Sequence, residues 1–521
     1  MSSNLSSLFP HHDLPDIEIQ HIITDSRRML PGGLFIALQG DRHDGNDYIE
    51  AAVRSGAAAV LTNKPQPDLG VPVIVVSDTA PLVAELSAKV YRTREADMSI
   101  VGVTGTDGKT TITHIIRHIW HKLTPPVGSI GTMGTIYPGH DAFAHTLTTP
   151  MAPDLHRELA TMREHGVQKL VMEVSSHALD QNRVGGVPYE VGIFTNLTHD
   201  HLDYHVTMEN YQAAKLKLFE RLPEHGLAIA KADYPTAAKI AEVSPAHVIG
   251  YKVQGEPTVE GFDRDVAVAE IVSFSKDGTK FNLHLPKLRR KSGDELPEQM
   301  IPAFVPFVGS YNIANATAAL ITLLWYGLPL QDILQELKDV PPVDGRFKRV
   351  ECGQPFQVIV DFAHTPVGTA SLLKQVRLET PGKIFMLVSG AGMRDRVKRR
   401  IITEVSIELA DVVILTLEEI SYEDPNQILR DLKNAVPEAL RDQIPVIPLR
   451  TEAIQYAIEH AQAGDSIVLP GMGNYEEIPV ADVIVPWSDA KVAEVFIIQR
   501  LLREALENFP RDGSVKIYSD V

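Results

Sequence analysis

Short apolar runs rich in β-branched residues alternate with amphipathic stretches over most of this sequence. In the first hundred residues the runs GLFIAL, AAAVLT and VPVIVV are typical of buried strands, and short helical stretches separate them. The run SIVGVTG then leads directly into TDGKTTITHIIRHIWHKL, whose apolar spacing is that of a helix. The runs KLVMEVSS and VGIFTNL, each followed by a helical pattern, continue the alternation.

A second alternating block begins near Pro341. Its predicted strands are FQVIVDFAHT, KIFMLVSG, DVVILTL, IPVIPL and DSIVLPG, with amphipathic segments such as RRIITEVSIELA and TEAIQYAIEHA between them. This alternation predicts a doubly wound, mostly parallel sheet that binds ligands at the carboxyl ends of its strands. The acidic, proline-containing segment SGDELPEQMIP is predicted to be a solvated loop.

The length, the net charge and the cysteine content of the chain exclude several classes of protein. With 521 residues the chain is too long for one hydrophobic core and is expected to form several domains. The net charge of -18 argues against a nucleic-acid partner. Cys352 is the only cysteine, which excludes an internal disulfide and a multi-cysteine metal site. We see no signal-peptide pattern and no apolar run long enough to span a membrane, so a cytoplasmic protein is expected.

The stretch VGVTGTDGKTT, residues 101–111, is predicted to bind phosphate. A buried strand, a glycine-containing turn and a helix direct several backbone amides and the positive helix end toward one anion. Gly105 and Gly108 would let the backbone approach phosphate oxygens. Lys109 would then meet the outer phosphates, and the Thr110 hydroxyl would ligate magnesium. The alternative is a turn with a surface lysine, which the coincidence of these features disfavours.

The spacing of this loop, T-G-T-x-G-K-T-T, departs from the common G-x-x-x-x-G-K-[ST] pattern and resembles the loop of the Mur ligase superfamily. Further segments similar to that family follow in order: TTP (148–150), MEVSSHALDQNRV (172–184), FTNLTHDHLDYHVTMENYQAAKLKLF (194–219), VGSYNIANATAAL (308–320), DGRFKRV (344–350) and DFAHTP (361–366). They cover nearly the whole chain. They are most similar to the members that add the third residue of the peptidoglycan stem peptide.

The resemblance implies an α/β protein of three domains. These would be an N-terminal α/β domain for the UDP-substrate at 1–97, a central P-loop ATPase-like domain at 98–340, and a C-terminal doubly wound, Rossmann-like domain for the incoming amino acid at 341–521. The implied reaction joins a carboxylate to an amine through an acyl phosphate at the expense of ATP. The implied partners are a UDP-N-acetylmuramoyl-dipeptide and a free amino acid, with no nucleic acid and no membrane, and a monomer is expected.

The family's chemistry implies two magnesium sites, because a carboxylate must approach a triphosphate. By resemblance Glu173 and Thr110 bind one magnesium ion and His201 the second. Lys215 matches a lysine that carbon dioxide converts into a carbamate, a carboxylate-like ligand for the second site. Taken alone, His201 would be a polar loop or core residue and Lys215 the solvated face of a helix, with Lys217 as the surface lysine of the pair.

The resemblance assigns the remaining roles by position. The implied catalytic residues are Lys109, Glu173, His201, Lys215 and Arg346. The implied ATP contacts are Gly105, Thr106, Asp107, Gly108, Lys109, Thr110, Thr111, Asn312, Arg346, Asp361 and His364. The implied UDP-substrate contacts are Thr24, Ser26, Thr148, Thr149, Ser175, Gln181 and Arg183, although Thr148 and Thr149 alone would also fit a plain turn before Pro150.

The segments that select the amino acid depart from the commonest family pattern. Diaminopimelate-adding members usually carry D-N-P-R, whose arginine grips the distal carboxylate, and Ser421 stands at that arginine's position. We therefore expect a basic amino acid, L-lysine or L-ornithine, rather than meso-diaminopimelate, unless the glutamates beside Ser421 simply face solvent. The implied amino-acid contacts are Arg394, Glu418, Glu419, Ser421, Gly471 and Tyr475.

Two other functions stay open at this stage. One is another ligase of the superfamily, such as a folylpolyglutamate synthase, which the TDSR, TTP and SSHALDQNR segments disfavour. The other is a nucleotide-binding paralogue that no longer ligates and acts as a scaffold. The altered C-terminal segments allow it, whereas the retained Lys109, Glu173, His201 and Lys215 speak against it.

Overall fold

The computed structural model describes residues 2–40, 43–95, 97–143, 147–275 and 277–509. The chain divides into two compact units. Unit 1 comprises Met1–Leu197 and Glu209–Val340, and unit 2 comprises Thr198–Met208 and Pro341–Val521. The predicted three-domain boundaries, at residues 97 and 340, remain a prediction.

The N-terminal part of unit 1 is a small parallel sheet with helices. Its elements are β1 (Ser3–Asn4), α1 (Leu5–Leu8), β2 (Glu18–Ile19), β3 (His21–Ile23), β4 (Gly33–Ile36), α2 (Ile49–Arg54), β5 (Ala57–Thr62), β6 (Val73–Val75) and α3 (Leu82–Val90). Strands β3 to β6 pair in parallel and in chain order. The runs GLFIAL, AAAVLT and VPVIVV thus form strands as predicted, because a sheet covered on both faces requires nearly continuous apolar strands.

The rest of unit 1 is built on one large sheet. Its elements are β7 (Ser99–Thr104), α4 (Lys109–Leu123), β8 (Val127–Gly131), β9 (Gly134–Tyr137), β10 (His140–Phe143), α5 (Ala152–Glu164), β11 (Lys169–Glu173), α6 (Ser176–Asp180), β12 (Tyr189–Phe194), α7 (Leu202–His205, in the segment of unit 2), α8 (Met208–Phe219), β13 (Leu227–Lys231), α9 (Pro235–Val243), β14 (His247–Val253), β15 (Val266–Ser275), β16 (Gly278–Leu285), β17 (Leu288–Arg289), β18 (Glu295–Leu296), β19 (Gln299–Val305), α10 (Ser310–Trp325) and α11 (Leu330–Lys338).

Strand β7 lies between β11 and β12 and is parallel to both. The carboxyl ends of these three strands therefore meet at one edge of the sheet, where Thr104, Glu173 and Phe194 end their strands. Helix α10 is buried almost all round, which fits its apolar sequence, and it packs against α4 and the sheet.

The segment SGDELPEQMIP is not a solvated loop throughout, so that prediction is wrong. It contains β18 and the start of β19, and β19 pairs with β16 in antiparallel register. Met300 is exposed and Ile301 is buried, which is the two-residue alternation of a strand with one face on the core. The proline and the acidic residues masked this alternation in the sequence.

Unit 2 contains the predicted doubly wound sheet. Its elements after α7 are β20 (Lys348–Arg349), β21 (Gln357–Val360), α12 (Pro366–Glu379), β22 (Ile384–Val388), α13 (Arg396–Leu409), β23 (Val412–Leu415), α14 (Pro425–Ala435), α15 (Arg450–His460), β24 (Ser466–Leu469), β25 (Glu477–Val480), β26 (Val483–Pro486) and α16 (Asp489–Glu507). The sheet order is β20-β21-β24-β22-β23, parallel except for the edge strand β20.

The run IPVIPL was predicted as a further strand, and this prediction is wrong. Only Val446 forms an isolated parallel bridge, to Leu415. Pro445 and Pro448 lack the backbone N–H that a strand needs, so pairing stops after one bridge. Within the described ranges, no helix is both long and apolar enough to cross a bilayer.

Candidate active site

The predicted phosphate-binding loop, residues 105–108, joins β7 to α4 and is held by the residues that follow β12. The Oδ1 of Asn196 accepts hydrogen bonds from the backbone N–H groups of Thr106 (3.1 Å) and Asp107 (2.8 Å). The hydroxyl of Thr195 donates to the Asp107 carbonyl at 2.6 Å. The loop is therefore fixed in shape by two neighbouring side chains before any ligand arrives.

Two glycines of this loop have no room for a side chain. Gly105 has φ 150°, and a Cβ there would lie 1.8 Å from the Thr195 hydroxyl oxygen. Gly108 has φ 87°, and a Cβ there would lie 2.6 Å from the Asn315 amide oxygen. The backbone of the loop is thus packed against the sheet on one side and against α10 on the other.

Lys109 and Thr110 open helix α4, as the sequence predicted. The Lys109 Nζ donates to the carbonyls of Gly105 (3.0 Å) and Thr106 (2.8 Å), so the ammonium lies over the loop. Thr110 is buried, and its hydroxyl donates to the Glu173 carboxylate at 3.0 Å. Thr111 follows on the first turn and is buried as well.

Glu173 ends β11 with its side chain 1% exposed. Besides Thr110, its carboxylate accepts from the backbone N–H of Thr132 (2.8 Å) and from the Thr132 hydroxyl (3.2 Å). A Cβ on Gly131 would lie 2.4 Å from the Glu173 Oε1. These donors satisfy a carboxylate that would otherwise be costly to bury.

The predicted UDP-substrate residues of this unit lie directly beside Glu173. The Thr149 hydroxyl donates to the Glu173 carbonyl (2.9 Å) and accepts from the Ser175 backbone N–H (3.0 Å). Arg183 donates to the Thr149 carbonyl (3.1 Å) and to the Gln181 amide oxygen (2.6 and 2.9 Å). Thr148 lies within 3.4 Å of the Thr132 hydroxyl. One hydrogen-bonded network therefore runs from the nucleotide loop to these five residues.

The N-terminal pair Thr24 and Ser26 follows β3, and Ser26 begins a short 3-10 turn that Asp25 caps. The same turn carries Arg28, whose guanidinium binds the Asp154 carboxylate with two hydrogen bonds of 2.9 and 3.0 Å. Asp154 is in the first turn of α5, just after Thr148 and Thr149. This bidentate pair links the two predicted halves of the UDP-substrate site.

A buried histidine makes a second link between these parts of unit 1. His156 is fully buried, with its Nε2 3.0 Å from the Gly185 carbonyl and its Nδ1 2.7 Å from the Thr93 hydroxyl. Because a carbonyl only accepts, Nε2 carries the proton and the Thr93 hydroxyl donates to Nδ1. Burial lowers the pKa of His156 to about 4, so the ring stays neutral.

Lys215 lies on α8 and is 1% exposed, so the solvated-helix alternative does not hold. Its Nζ donates to the Gly105 carbonyl at 2.8 Å and lies 4.4 Å from the centre of the Tyr211 ring. Lys217 is the more exposed lysine of the pair and binds Asp180 at 2.8 Å. The amine of Lys215 is therefore directed at the nucleotide loop.

His201 belongs to unit 2, in the segment Thr198–Met208. Its Nε2 lies 3.3 Å from the Asp200 carboxylate, and its φ of 54° is in the left-handed region. Asp200 is buried and also contacts Lys398 (3.0 Å) and His364 (3.5 Å). Burial raises the pKa of Asp200, but the hydrogen bond from His364 and the charges of Lys398 and His201 outweigh it and hold this pKa well below its usual range.

The ATP residues predicted in unit 2 form one cluster. The Arg346 guanidinium lies 4.6 Å from the centre of the Phe362 ring, and this ring contacts those of His364 (5.0 Å) and Tyr475 (5.2 Å). Asp361 accepts from the backbone N–H groups of Phe347 and Ala363, both at 2.7 Å, and so fixes the turn that carries Arg346. Asn312 lies in unit 1, on the first turn of α10, where its amide donates to the Val308 carbonyl.

The predicted amino-acid residues also converge in unit 2. Glu418 accepts from the Ser389 hydroxyl at 2.8 Å, and a Cβ on Gly471 would lie 2.3 Å from its Oε2. Ser421 donates to the Glu419 carboxylate at 3.1 Å. Burial raises the pKa of the Tyr475 phenol, and so do the charges of Glu419 and Glu418, while Arg394 and Arg346 lower it. Tyr475 therefore lies among the charged groups of both predicted sites.

Three residues that hold Glu173 and the nucleotide loop are not predicted from the sequence: Thr132, Thr195 and Asn196. Asn196 could have been predicted, because it lies in the family-like segment FTNLTHDHLDYH, two residues after the end of β12. No motif in the sequence pointed to Thr132, because it lies in an isolated turn between β8 and β9. Its role comes only from the pairing of β8 with β11.

Thr110 and Glu173 offer a hydroxyl and a carboxylate, which are the hard oxygen ligands that Mg²⁺ prefers. Across the described residues, no three His, Cys, Asp or Glu side chains gather into a ready metal site. A magnesium site here would therefore also need ligands from ATP phosphates, water or a modified lysine.

Three family models match this chain. The description "Mur ligase family, catalytic domain" matches residues 18–91, "Mur ligase middle domain" matches 103–323, and "Mur ligase, glutamate ligase domain" matches 345–473. A curated relative from Halalkalibacterium halodurans, a UDP-N-acetylmuramoyl-L-alanyl-D-glutamate--2,6-diaminopimelate ligase, is 38% identical over 94% of this chain and 96% of its own length.

Solved structures agree with these matches. A UDP-N-acetylmuramoyl-L-alanyl-D-glutamate--2,6-diaminopimelate ligase superposes with a TM-score of 0.62 at 27% identity, covering 96% of this chain and all of the other. The MurF ligase of Thermotoga maritima, solved in complex with ADP, superposes with a TM-score of 0.60 at 17% identity over 94% of this chain and 99% of its own, and it shows the shared fold.

Proposed function

Since this chain belongs to the Mur ligase family of ATP-dependent ligases, we propose that it adds the third amino acid to UDP-N-acetylmuramoyl-L-alanyl-D-glutamate, with L-lysine or L-ornithine as that amino acid. One observation carries the first half of the proposal. The side chains predicted for ATP and for the UDP-substrate share one network, in which Glu173 contacts Thr110 through its carboxylate and Thr149 through its carbonyl. A carboxylate substrate held by Thr149, Ser175 and Arg183 would therefore lie beside the nucleotide loop.

The proposed chemistry requires two anions to be held together. Lys109 would bind the outer phosphates of ATP, and Arg183 would draw the D-glutamate carboxylate toward them. Magnesium, bound through Thr110 and Glu173, would neutralise the charge that develops on the transferred phosphoryl group. Arg346 is proposed to approach the γ-phosphate, and Asp361, His364 and Asn312 the nucleoside. In this scheme residues 1–97, 98–340 and 341–521 bind the UDP-substrate, ATP and the amino acid.

A second magnesium site is proposed at His201 and at Lys215 as a carbamate. The buried amine of Lys215 lies 2.8 Å from the Gly105 carbonyl, so it is beside the phosphates that the loop would hold. After the ammonium loses a proton to water, the neutral amine of Lys215 would attack carbon dioxide and form a C–N bond. A second proton would then leave the nitrogen, so the product is an anionic carbamate that keeps one N–H to donate to the Gly105 carbonyl. The modification fits a side chain that is 1% exposed, where a charged group is costly to bury unless its partners compensate.

The proposed selection of a basic amino acid rests on the charges around Ser421. Arg394 would bind the α-carboxylate of the amino acid. Glu418 and Glu419 together carry more negative charge than Arg394 carries positive charge, and this excess would attract a side-chain ammonium. Ser421 presents a hydroxyl, already hydrogen-bonded to Glu419, where a distal carboxylate would need a guanidinium. Meso-diaminopimelate is the second candidate, because the relative from Halalkalibacterium halodurans is a 2,6-diaminopimelate ligase by name.

The test is phosphate release from ATP in the presence of magnesium and UDP-N-acetylmuramoyl-L-alanyl-D-glutamate. The amine panel contains L-lysine, L-ornithine, meso-diaminopimelate and L-alanine, and product masses are recorded. Release that depends on lysine or ornithine, with the matching tripeptide mass, supports the proposal. A clear preference for meso-diaminopimelate overturns the specificity, and release only with a folate substrate overturns the reaction. Binding of both nucleotides without release on any amine supports the scaffold alternative.

A further inference from the structure

Arg399 is the most deeply buried arginine around the proposed amino-acid site, and no role has been assigned to it above. It lies on the first turns of α13, is 2% exposed, and its guanidinium touches two loops at once. On one side Nη2 donates to the Ala391 carbonyl at 2.8 Å. On the other side Nη1 and Nη2 bind the Glu423 carboxylate at 2.8 and 2.7 Å.

The first of these loops, residues 390–395, carries Arg394, and the second, residues 418–423, carries the glutamates and Ser421. They also touch directly, since the Gly392 N–H donates to the Glu419 carbonyl at 2.6 Å. A Cβ on Gly392 would lie 1.9 Å from the Ile420 carbonyl oxygen. A Cβ on Gly390 would lie 2.7 Å from the Arg399 Cγ. The two loops are therefore in direct backbone contact at Gly392, where a side chain has no room.

Both loops contain a non-glycine residue with left-handed backbone. Met393, directly before Arg394, has φ 57°, and Ser421 has φ 48°. Such conformations are uncommon for these residue types and persist where surrounding contacts fix them. Here the Met393 N–H donates to the same Glu423 carboxylate that Arg399 binds, at 2.7 Å. The hydrogen bond from Arg399 is the leading cause that lowers the pKa of Glu423, so this carboxylate is ionised and available to both donors.

We propose that Arg399 is a positioning residue that sets the distance between Arg394 and the side chains of Glu418 and Glu419, and thereby the length of amino acid that the enzyme accepts. The inference rests on the proposed function, because it takes Arg394 and the two glutamates as the groups that bind the two ends of the amino acid. The planar fork of Arg399 is needed for this, because it reaches a carbonyl on one loop and both carboxylate oxygens on the other. A lysine ammonium cannot reproduce that geometry.

Arg396 provides a matched control in the same cluster. It carries the same charge and also binds Asp431, at 3.0 Å, but its side chain is 55% exposed. Its Nε lies 3.8 Å from the Glu423 carboxylate, an ion-pair distance without the two hydrogen bonds that Arg399 makes there. Arg399 binds Asp431 at the same distance of 3.0 Å. Arg399→Lys and Arg396→Lys therefore both weaken ion pairs with Asp431 and Glu423. Only Arg399→Lys also removes the fork that joins the Ala391 carbonyl to both Glu423 oxygens, so only this variant is expected to release the two loops.

The experiment compares wild type, Arg399→Lys, Glu423→Gln and Arg396→Lys by phosphate release, with the thermal unfolding midpoint of each measured first. We expect Arg399→Lys to raise KM for the amino acid about 10-fold while KM for ATP and for the UDP-substrate stay near wild type. We also expect the ratio of kcat/KM between lysine and ornithine to fall about 5-fold. The two side chains differ by one methylene, and the enzyme can distinguish them only if the two loops keep a fixed distance. Glu423→Gln should act in the same direction, and Arg396→Lys should behave as wild type.

A folded Arg399→Lys enzyme with unchanged amino-acid KM and unchanged lysine-to-ornithine ratio would overturn the inference. So would equal losses for all three substrates, which indicate a general structural role. If Arg399→Lys does not fold, Glu423→Gln gives the same two readouts. A wild-type enzyme that releases phosphate with lysine or ornithine separates these outcomes from failure of the proposed function, in which no basic amino acid supports release at all.

Discussion

The hydroxyl of Thr110 donates a hydrogen bond of 3.0 Å to the carboxylate of Glu173. The two residues are 63 positions apart in the chain. Thr110 lies in the first turn of α4, the helix that follows β7, and Glu173 ends the neighbouring parallel strand β11. Their pairing joins the nucleotide loop to the residues that are proposed to bind the acceptor substrate.

Glu173→Gln removes the negative charge of this pair and leaves its shape. We expect kcat to fall by about 100- to 1000-fold, because charge stabilisation near the transferred phosphoryl group is lost. Phosphate release at several magnesium concentrations measures the effect. Glu164→Gln, at the exposed end of α5, is the control and should match wild type. A Glu173→Gln enzyme with full activity would exclude Glu173 as a metal ligand.

Asn196→Ala removes the amide that accepts from Thr106 and Asp107. We expect KM for ATP to rise about 10-fold, since the loop would lose its fixed shape and each misplaced amide binds phosphate less well. KM for the UDP-substrate is the internal control and should stay unchanged. Equal changes in both constants would show that Asn196 supports the whole unit rather than the loop.

The proposed carbamate on Lys215 can be tested by NMR spectroscopy. Protein equilibrated with ¹³C-bicarbonate should show a carbamate carbon in its NMR spectrum, which Lys215→Arg abolishes and Lys217→Arg preserves. Lys215→Arg is also expected to lower kcat about 100-fold, because an anionic ligand becomes a cation. Retention of the carbamate signal in Lys215→Arg would place the modification on a different lysine.

Ser421→Arg adds the guanidinium that the family resemblance implies for diaminopimelate-adding members at this position. The ratio of kcat/KM for meso-diaminopimelate over L-lysine is expected to rise about 10- to 100-fold, because a bidentate pair with the distal carboxylate becomes available. Ser421→Ala removes only the hydroxyl and should leave the ratio near wild type. An unchanged ratio in a folded Ser421→Arg enzyme would show that the distal group binds elsewhere.

His156 makes stability depend on pH. Its pKa is about 4 in the folded protein against 6.5 in the unfolded chain, so the unfolded chain binds more protons between these values. Stability is therefore lost as pH falls from 6.5 toward 4, by up to about 3 kcal/mol. Urea unfolding at pH 7 and pH 4.5 should show a smaller loss in His156→Gln than in wild type. His165→Gln, at the exposed end of the same helix, should keep the wild-type loss.

The nucleotide loop and its helix were predictable because their signals are local. Gly105, Gly108 and Lys109 lie within five residues, and the helical spacing after them is unbroken. The clamp by Asn196 depends on β7 and β12 being neighbours, which the order of strands in the chain does not reveal. The contact of Glu173 with Thr132 depends likewise on the pairing of β8 and β11.

The errors in the fold also have physical causes. Strands β18 and β19 were hidden because Glu295 and Pro302 interrupt the apolar pattern and the apolar Met300 faces outward, although Ile301 and Val305 still face the core. The segment IPVIPL was predicted as a strand because its apolar residues fit the pattern of a buried strand. It does not form one, because Pro445 and Pro448 prevent pairing. Arg399 gave no signal at all, since a basic residue in a helix is usually exposed.

The crowding around the nucleotide loop determines which of its residues could change if a descendant protein lost its activity. The side chains of Thr195 and Asn315 leave no room for a Cβ at Gly105 and Gly108. Replacing either glycine would therefore damage folding even in a descendant that no longer bound ATP. Lys109 is half-buried and is under no such spatial constraint. A lineage that abandoned catalysis would therefore be expected to lose the lysine first and keep the glycines as a relic. This chain retains Lys109 together with both glycines.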